Sequence, residues 1–176
     1  VAPSTDAGDG CSSTEKVFLK KMKTSSSEKI EEEWIMEIKG DLFSCSKRFS
    51  LAHCVSEDLR LGKGIAKLFR DRYGGIDGMR RQNVKVGGVA VIPRTGGGGF
   101  VYNLVTKEKY WQKPTYDSLR RSLEAMVAHM KANDVNELAM PRIGCGLDGL
   151  QWSAVRRVID EVFNDKDGFK VRIYSM

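Results

Sequence analysis

From about residue 34 onward, apolar positions fall into short blocks whose spacing switches between strand-like and helix-like. Ile35, Met36 and Ile38 form a short strand that ends at Lys39-Gly40-Asp41. Leu51-Ala52-His53-Cys54-Val55 is a compact apolar run of the kind that fills a buried strand. Leu61-Gly62-Lys63-Gly64 then opens a helix carrying Ile65, Ala66, Leu68 and Phe69, and Gly74-Gly75 stops it. Val89 to Ile92 and Phe100 to Val105 are two strand-like runs joined through Thr95 and Gly96 to Gly99, which predicts a hairpin with a flexible glycine tip. Pro114-Thr115 starts a long helix with Thr115 as its N-cap, because Leu119, Leu123, Met126, Val127 and Met130 recur at three- and four-residue spacing. Leu138-Ala139-Met140 reads as a strand, Val155 to Phe163 as a helix, and Phe169 to Tyr174 as a final strand. Helices alternating with strands around one hairpin predict an α/β fold, with a mixed central sheet between helices in three layers.

Residues 1–31 break this pattern. They are rich in Ser, Thr, Lys, Glu and Gly, with only Val17-Phe18-Leu19 as an apolar cluster. Such a segment buries too little surface to offset its ordering entropy, so a disordered tail is expected ahead of one domain at 34–176. A first residue other than Met reads as a processed or trimmed start, and VAPSTDAGDG lacks the basic and apolar regions of a secretory signal. No apolar run is long enough to span a membrane. The four cysteines, at 11, 45, 54 and 145, lack the short gaps of a zinc site, so reduced thiols in an intracellular compartment are expected and no metal or cofactor is implied. The net charge of +6 divides unevenly. Residues 1–33 hold 5 basic and 7 acidic residues, a sum of −2, so the remainder carries +8. An anionic partner, either a phosphate-rich ligand or nucleic acid, fits that excess, although solvated lysines with no specific role explain it equally well.

Three glycine-bearing junctions follow predicted strands: Lys39 to Phe43, Leu61 to Ala66, and Pro141 to Asp148. Ligands of open α/β sheets bind at the carboxyl ends of strands, and glycine there lets backbone N–H groups approach phosphate oxygens. Two such loops facing each other would clamp a diphosphate. Each glycine pair alone marks a turn more often than a site, and neither has the spacing of a Rossmann or P-loop motif.

Together, the segments KGDLF, LAHCVSED, LGKGIA, VTKEK, KPTY and MPRIGCGLD occur in the order and at the spacing of the macrodomain superfamily. Over residues 34–176 the chain resembles its terminal ADP-ribose protein glycohydrolases, which are also O-acetyl-ADP-ribose deacetylases. That resemblance implies a macrodomain fold and ADP-ribose as ligand. It implies that Asp41 accepts from the adenine amino group with Leu42 beside it, and that Ser56, Gly62, Gly64 and Ile65 line the ribose and diphosphate. Arg142, Ile143, Gly144, Cys145, Gly146 and Leu147 would form the opposing loop, with Met176 bordering the ligand. Lys107 corresponds to the catalytic lysine and Asp148 to the catalytic aspartate. By the same resemblance, Lys107 attacks the anomeric carbon of the distal ribose. Asp148 then acts as acid and base, assisting ring opening and resolving the adduct with water. A protonated amine cannot attack; burial favours the free amine, whereas a neighbouring carboxylate favours the charged one, so the two influences oppose.

Without the family, Asp148 reads as an acid at a helix N-terminus and Lys107 as a solvated strand-end lysine. Glu108 follows the lysine at a position where relatives can carry a basic residue. The Gly96 to Gly99 tip is longer than the family pattern and is expected away from the pocket. His53 is expected in the core and His129 at a helix boundary. Cys145 reads as a small residue tolerated near phosphate rather than a nucleophile. Tyr110 and Trp111 read either as a pocket cap or as surface aromatics. The leading expectation is a monomeric hydrolase, nuclear and in part cytoplasmic, connected with the DNA damage response. It would act on ADP-ribose esters of glutamate or aspartate in mono-ADP-ribosylated proteins and on O-acetyl-ADP-ribose. A non-catalytic ADP-ribose reader is the alternative, and the presence of both Lys107 and Asp148 favours the enzyme. Weak nucleic-acid association, suggested by Arg80-Arg81, Arg120-Arg121 and Arg156-Arg157, ranks as accessory because no aromatic-interleaved stacking motif is seen.

Overall fold

The computed structural model describes residues 33–166 and 168–176. The expected tail at 1–31 lies outside the described residues. Six strands, β1 (Ile35–Lys39), β2 (Ser50–Ser56), β3 (Val89–Pro93), β4 (Phe100–Lys107), β5 (Glu137–Pro141) and β6 (Lys170–Ser175), form one sheet in the order β1-β6-β5-β2-β4-β3. All neighbours are parallel except β3 and β4, which pair antiparallel as the hairpin pattern predicts. The helices are α1 (Gly64–Tyr73), α2 (Ile76–Gln82), α3 (Tyr116–Ala132) and α4 (Trp152–Val162). The sheet between helices is the expected three-layer α/β arrangement.

Period-two alternation in the strands builds two cores. Ala52, Tyr102, Leu104, Leu138, Met140, Val171 and Ile173 face α3 and α4, where Leu119, Leu123, Met126, Met130, Val155 and Ile159 are buried. Leu51, Val55, Val101, Val105 and Ala139 face the other way, onto Phe69 of α1 and Met79 of α2. Because both faces are covered, the strands read as near-continuous apolar runs rather than clean alternation. Thr115 caps α3 as its sequence suggests, accepting from Ser118 N at 3.0 Å while Ser118 Oγ accepts from Thr115 N at 3.1 Å.

Two elements are absent from the sequence expectation. A 3-10 turn spans Leu42–Ser44, and α2 follows directly where Gly74-Gly75 end α1. Both are short, and α2 has Gly78 inside it and buries only Met79, so neither leaves a periodic signal.

Candidate active site

Strand order sets the location of the site. The chain leaves β2 through α1, α2 and β3 to reach β4 on one side, then returns through α3 to β5 on the other. A crevice is expected at the carboxyl ends where neighbouring connections diverge in this way. The loops after β2, β4 and β5 carry Ser56, Lys107 and the 142–148 segment respectively. Between Val55 and Ser56 the β2–β4 register slips, so Ser56 pairs with Lys107 and Thr106 is passed over. A bulge of this kind re-aims the side chains beyond it. The end of β4 is then fixed from α3, with Ser122 Oγ donating to Val105 O at 2.9 Å and Ser118 Oγ to Thr106 O at 2.7 Å.

Lys107 and Asp148, 41 residues apart in sequence, meet here. Lys107 Nζ lies 2.5 Å from Asp148 Oδ1, with side chains 13% and 15% exposed. Cys54 lies beneath them. Burial first, and then the Asp148 charge, push its thiol up to about 12, so it stays protonated and inert. Burial also raises the Cys145 thiol, whose Sγ contacts Ile143 O at 3.4 Å.

The two glycine loops face each other across the crevice. Gly64 has φ +58°, and a Cβ there would sit 3.4 Å from Leu147 Cδ1. Lys63 supplies no side-chain cap to α1, so no capping side chain takes up its first N–H groups, and Gly62 and Ile65 flank that opening. Opposite, Gly144 has φ +71° with Leu150 packed where its Cβ would stand, 2.8 Å away. A Cβ on Gly146 would meet open space. Ile143 is buried under this loop. Leu147 projects from it, 68% exposed. Arg142 turns to the outer edge, where Nη2 meets Glu37 Oε2 at 2.9 Å and the guanidinium lies over Trp152, so its backbone rather than its charge belongs to the loop.

At the far corner Asp41 starts the 3-10 turn, and one of its carboxylate oxygens accepts from Phe43 N at 2.9 Å. Leu42 is buried with Val55 and Phe69. Gly40 N donates to Ser175 O at 2.8 Å, which places exposed Met176 at the same corner. Ser56 is buried, and its Oγ donates to Asp58 Oδ1 at 2.5 Å. The glycine hairpin tip lies at the opposite edge, since a Cβ on Gly99 would collide with Ser50 at the start of β2. Among the described residues, no group of three or more His, Cys, Asp or Glu side chains converges as metal ligands would.

Three residues without an assigned sequence role support the site. Asp58 Oδ2 accepts from Tyr110 N at 3.1 Å, tying the β2 loop to the segment after Lys107. Lys113 Nζ donates to Leu147 O, and Tyr116 Oη accepts from Gln151 N at 3.1 Å, so the Asp148 loop is tied to that same segment. No spacing rule announces contacts between residues about 35 to 50 positions apart.

A family model for the Macro domain matches residues 52–159, which run from within β2 into α4 and include both members of the Lys107–Asp148 pair. The chain belongs to the macrodomain family. It is 48% identical to a human protein named ADP-ribose glycohydrolase OARD1, over 88% of this chain and 100% of that one. A cattle protein of the same name is 47% identical with the same coverage. The macrodomain of Thermus aquaticus DarG superposes with a TM-score of 0.72 at 22% identity, covering 81% of this chain and 98% of that one. Thermosipho africanus DarTG in complex with ADP-ribose gives 0.70 at 22% identity, over 80% of this macrodomain chain and 41% of that longer one. These last two establish shared fold.

Proposed function

We propose that this macrodomain protein is an ADP-ribosyl hydrolase that removes ADP-ribose from glutamate and aspartate esters and deacylates O-acetyl-ADP-ribose. The observation that carries this reading is the Lys107–Asp148 contact at 2.5 Å, at the mouth of the crevice between the two glycine loops. A module that only binds ADP-ribose has no need of a largely buried amine beside a carboxylate at the end of the diphosphate clamp. The relatives at 47–48% identity, both named as glycohydrolases, support the enzyme.

Asp41 takes the adenine amino group at one corner. The N–H groups around Gly62 to Ile65, and those of the 142–147 loop, hold the diphosphate, which leaves the distal ribose at Lys107. A lysine that is to attack must first lose a proton, and Asp148 Oδ1 stands in direct hydrogen-bond contact to take it. The free amine forms a C–N bond at the anomeric carbon as the ester carboxylate departs with the bonding electrons. Asp148 passes the lysine's proton to the departing carboxylate and, ionised again, removes a proton from water, whose oxygen displaces the amine and releases ADP-ribose. The +8 charge of the described part suits the anionic ligand and leaves weak nucleic-acid association as an accessory property.

Substitution separates the two roles. Lys107→Ala leaves both backbone clamps, so ADP-ribose should still bind while ester hydrolysis falls by ~10³-fold or more. Asp148→Ala should leave attack to the share of Lys107 that loses its proton to solvent and should slow resolution further, so intact-protein mass spectrometry at raised pH should show ADP-ribose bound covalently to Lys107. Near-normal turnover by Lys107→Ala would overturn the lysine mechanism, leaving Asp148 and an activated water to do the chemistry.

A further inference from the structure

The chain that carries Lys107 is held in two different ways along its length. As far as Thr106 it is fixed by burial and by α3, whose Ser122 and Ser118 donate to the carbonyls of Val105 and Thr106. Beyond Lys107 that support ends. Glu108 and Lys109 line a cavity of about 300 Å³ floored by Met79, Val84, Ala90 and Val105, so on this side the strip faces open space rather than packed side chains. Tyr110 and Trp111 are 48% and 68% exposed and bring no anchor to the core.

The turn after β2 takes over. Glu57 N donates to Lys107 O at 2.8 Å and Asp58 N to Glu108 O at 3.2 Å, which carries the β2–β4 pairing past the bulge. One oxygen of the Asp58 carboxylate accepts from Tyr110 N at 3.1 Å. The other accepts from Ser56 Oγ at 2.5 Å and from Arg60 N at 3.4 Å. Burial raises this carboxyl, but the three donors and the Lys109 charge outweigh it, so it stays ionised and below the usual aspartate range. A carboxylate with both oxygens engaged suits a brace better than a base. The turn is also strained. Leu59 is left-handed at φ +52°, uncommon for a bulky side chain, and is kept there by its own burial and by Leu59 N donating to Ser56 O at 3.0 Å. Such strain persists where the surroundings over-determine the backbone. The same loop runs straight on through Gly62 to Gly64, the first half of the diphosphate clamp.

We infer that Asp58 is a positioning residue, which sets the distance from the diphosphate clamp to the Lys107 amine by locking the strip after β4 to the turn that leads into the clamp. The inference rests on the hydrolase reading and adds what keeps its nucleophile in register with its ligand. Asp58 acts through Ser56 and Tyr110, not on the reacting atoms. Attack requires the amine within roughly 3–3.5 Å of the anomeric carbon, and a misplacement of about 1 Å costs on the order of 10²-fold in rate. Binding is less demanding, because the clamp's own backbone groups hold the diphosphate whether or not the strip beside them is fixed.

The test follows O-acetyl-ADP-ribose hydrolysis and ADP-ribose affinity in the same variants. Asp58→Ala should lower kcat by roughly 30- to 100-fold, while Kd for ADP-ribose by calorimetry changes less than about threefold. Asp58→Asn keeps an oxygen for Tyr110 N and offers its amide to Ser56 Oγ, so it should retain most of the wild-type kcat. A contact that only stabilises the fold predicts a lower Tm with kcat intact below it, and that result overturns the inference. Equal losses of kcat in Asp58→Asn and Asp58→Ala assign the effect to charge and overturn it as well. So does a parallel loss of kcat and affinity. If Asp58→Ala does not fold, Asp58→Ser, whose hydroxyl falls short of Tyr110 N, takes its place with the same expectations. Failure of wild type to hydrolyse O-acetyl-ADP-ribose defeats the hydrolase reading alone, and hydrogen exchange then decides the brace without turnover. ADP-ribose should slow exchange across residues 108–112 in wild type but not in Asp58→Ala, and equal protection in the two overturns the coupling.

Discussion

His53 offers a pH dependence that can be worked through from the geometry. It sits in β2 opposite Asn103 of β4, fully buried, with its ring stacked on Phe69 at 3.8 Å. Asn103 gives its amide hydrogens to Ala90 O at 3.1 Å and Val101 O at 3.3 Å, so its Oδ1 faces His53 Nε2 at 2.6 Å and accepts. Nε2 therefore carries the ring proton, and Nδ1 has no partner. Protonating Nδ1 would bury a charge with no acceptor, and this desolvation pulls the pKa from 6.5 to about 4 despite the Asn103 contact. The unfolded chain thus binds a proton that the folded one refuses. Stability is complete above about pH 6.5 and falls as pH drops towards 4, by about 3 kcal/mol in all or roughly 10 °C in Tm. Because this residue pair joins the strands that carry Ser56 and Lys107, turnover should be lost along with the fold. Thermal melts from pH 4.5 to 7.5 check this in wild type and His53→Phe. The variant should start less stable, because Asn103 Oδ1 loses its donor, yet show a shallower slope between pH 6.5 and 5. Parallel slopes would refute the argument. Below that window carboxylates with lowered pKa, such as Asp58, contribute as well, so the comparison belongs above it.

Three further outcomes are expected. By calorimetry, ADP-ribose should bind at least tenfold tighter than NAD, a difference of about 1.4 kcal/mol, because nicotinamide occupies the end of the distal ribose that Lys107 and Asp148 face. Equal affinities would place the ribose elsewhere. Arg142→Ala should change ADP-ribose affinity by less than about threefold, since its guanidinium pairs with Glu37 in a half-exposed site where such bridges are worth ~1 kcal/mol or less. A collapse of binding would show that Arg142 swings onto the phosphates. Gly144→Ala should cost about 1–2 kcal/mol for the left-handed backbone alone, with further loss because Leu150 must move, and should lower both Tm and ligand affinity. Wild-type behaviour there would mean that the loop is not held in the conformation described.

What is legible in the chain is what is encoded locally. Each strand and each of α1, α3 and α4 carries its own apolar rhythm, and the glycine junctions announce turns before any ligand is named. The pair that matters most is different in kind. Lys107 and Asp148 are an ordinary strand-end lysine and loop aspartate until β4 and the β5–α4 loop are laid side by side, and only the family resemblance singles them out in sequence. Side-chain direction is harder still. Arg142 stands in the 142–147 loop yet its guanidinium meets Glu37, and the side chains of Leu42 and Ser56 are buried. The fasteners Asp58, Lys113 and Tyr116 leave no trace in spacing, because each acts on a backbone atom of another loop. They share one consequence. Asp58 ties the β2 loop to the segment after β4, and Lys113 and Tyr116 tie that segment to the β5–α4 loop. The amine, the carboxylate and the turn at Tyr110 and Trp111 are therefore anchored to one braced strip of chain.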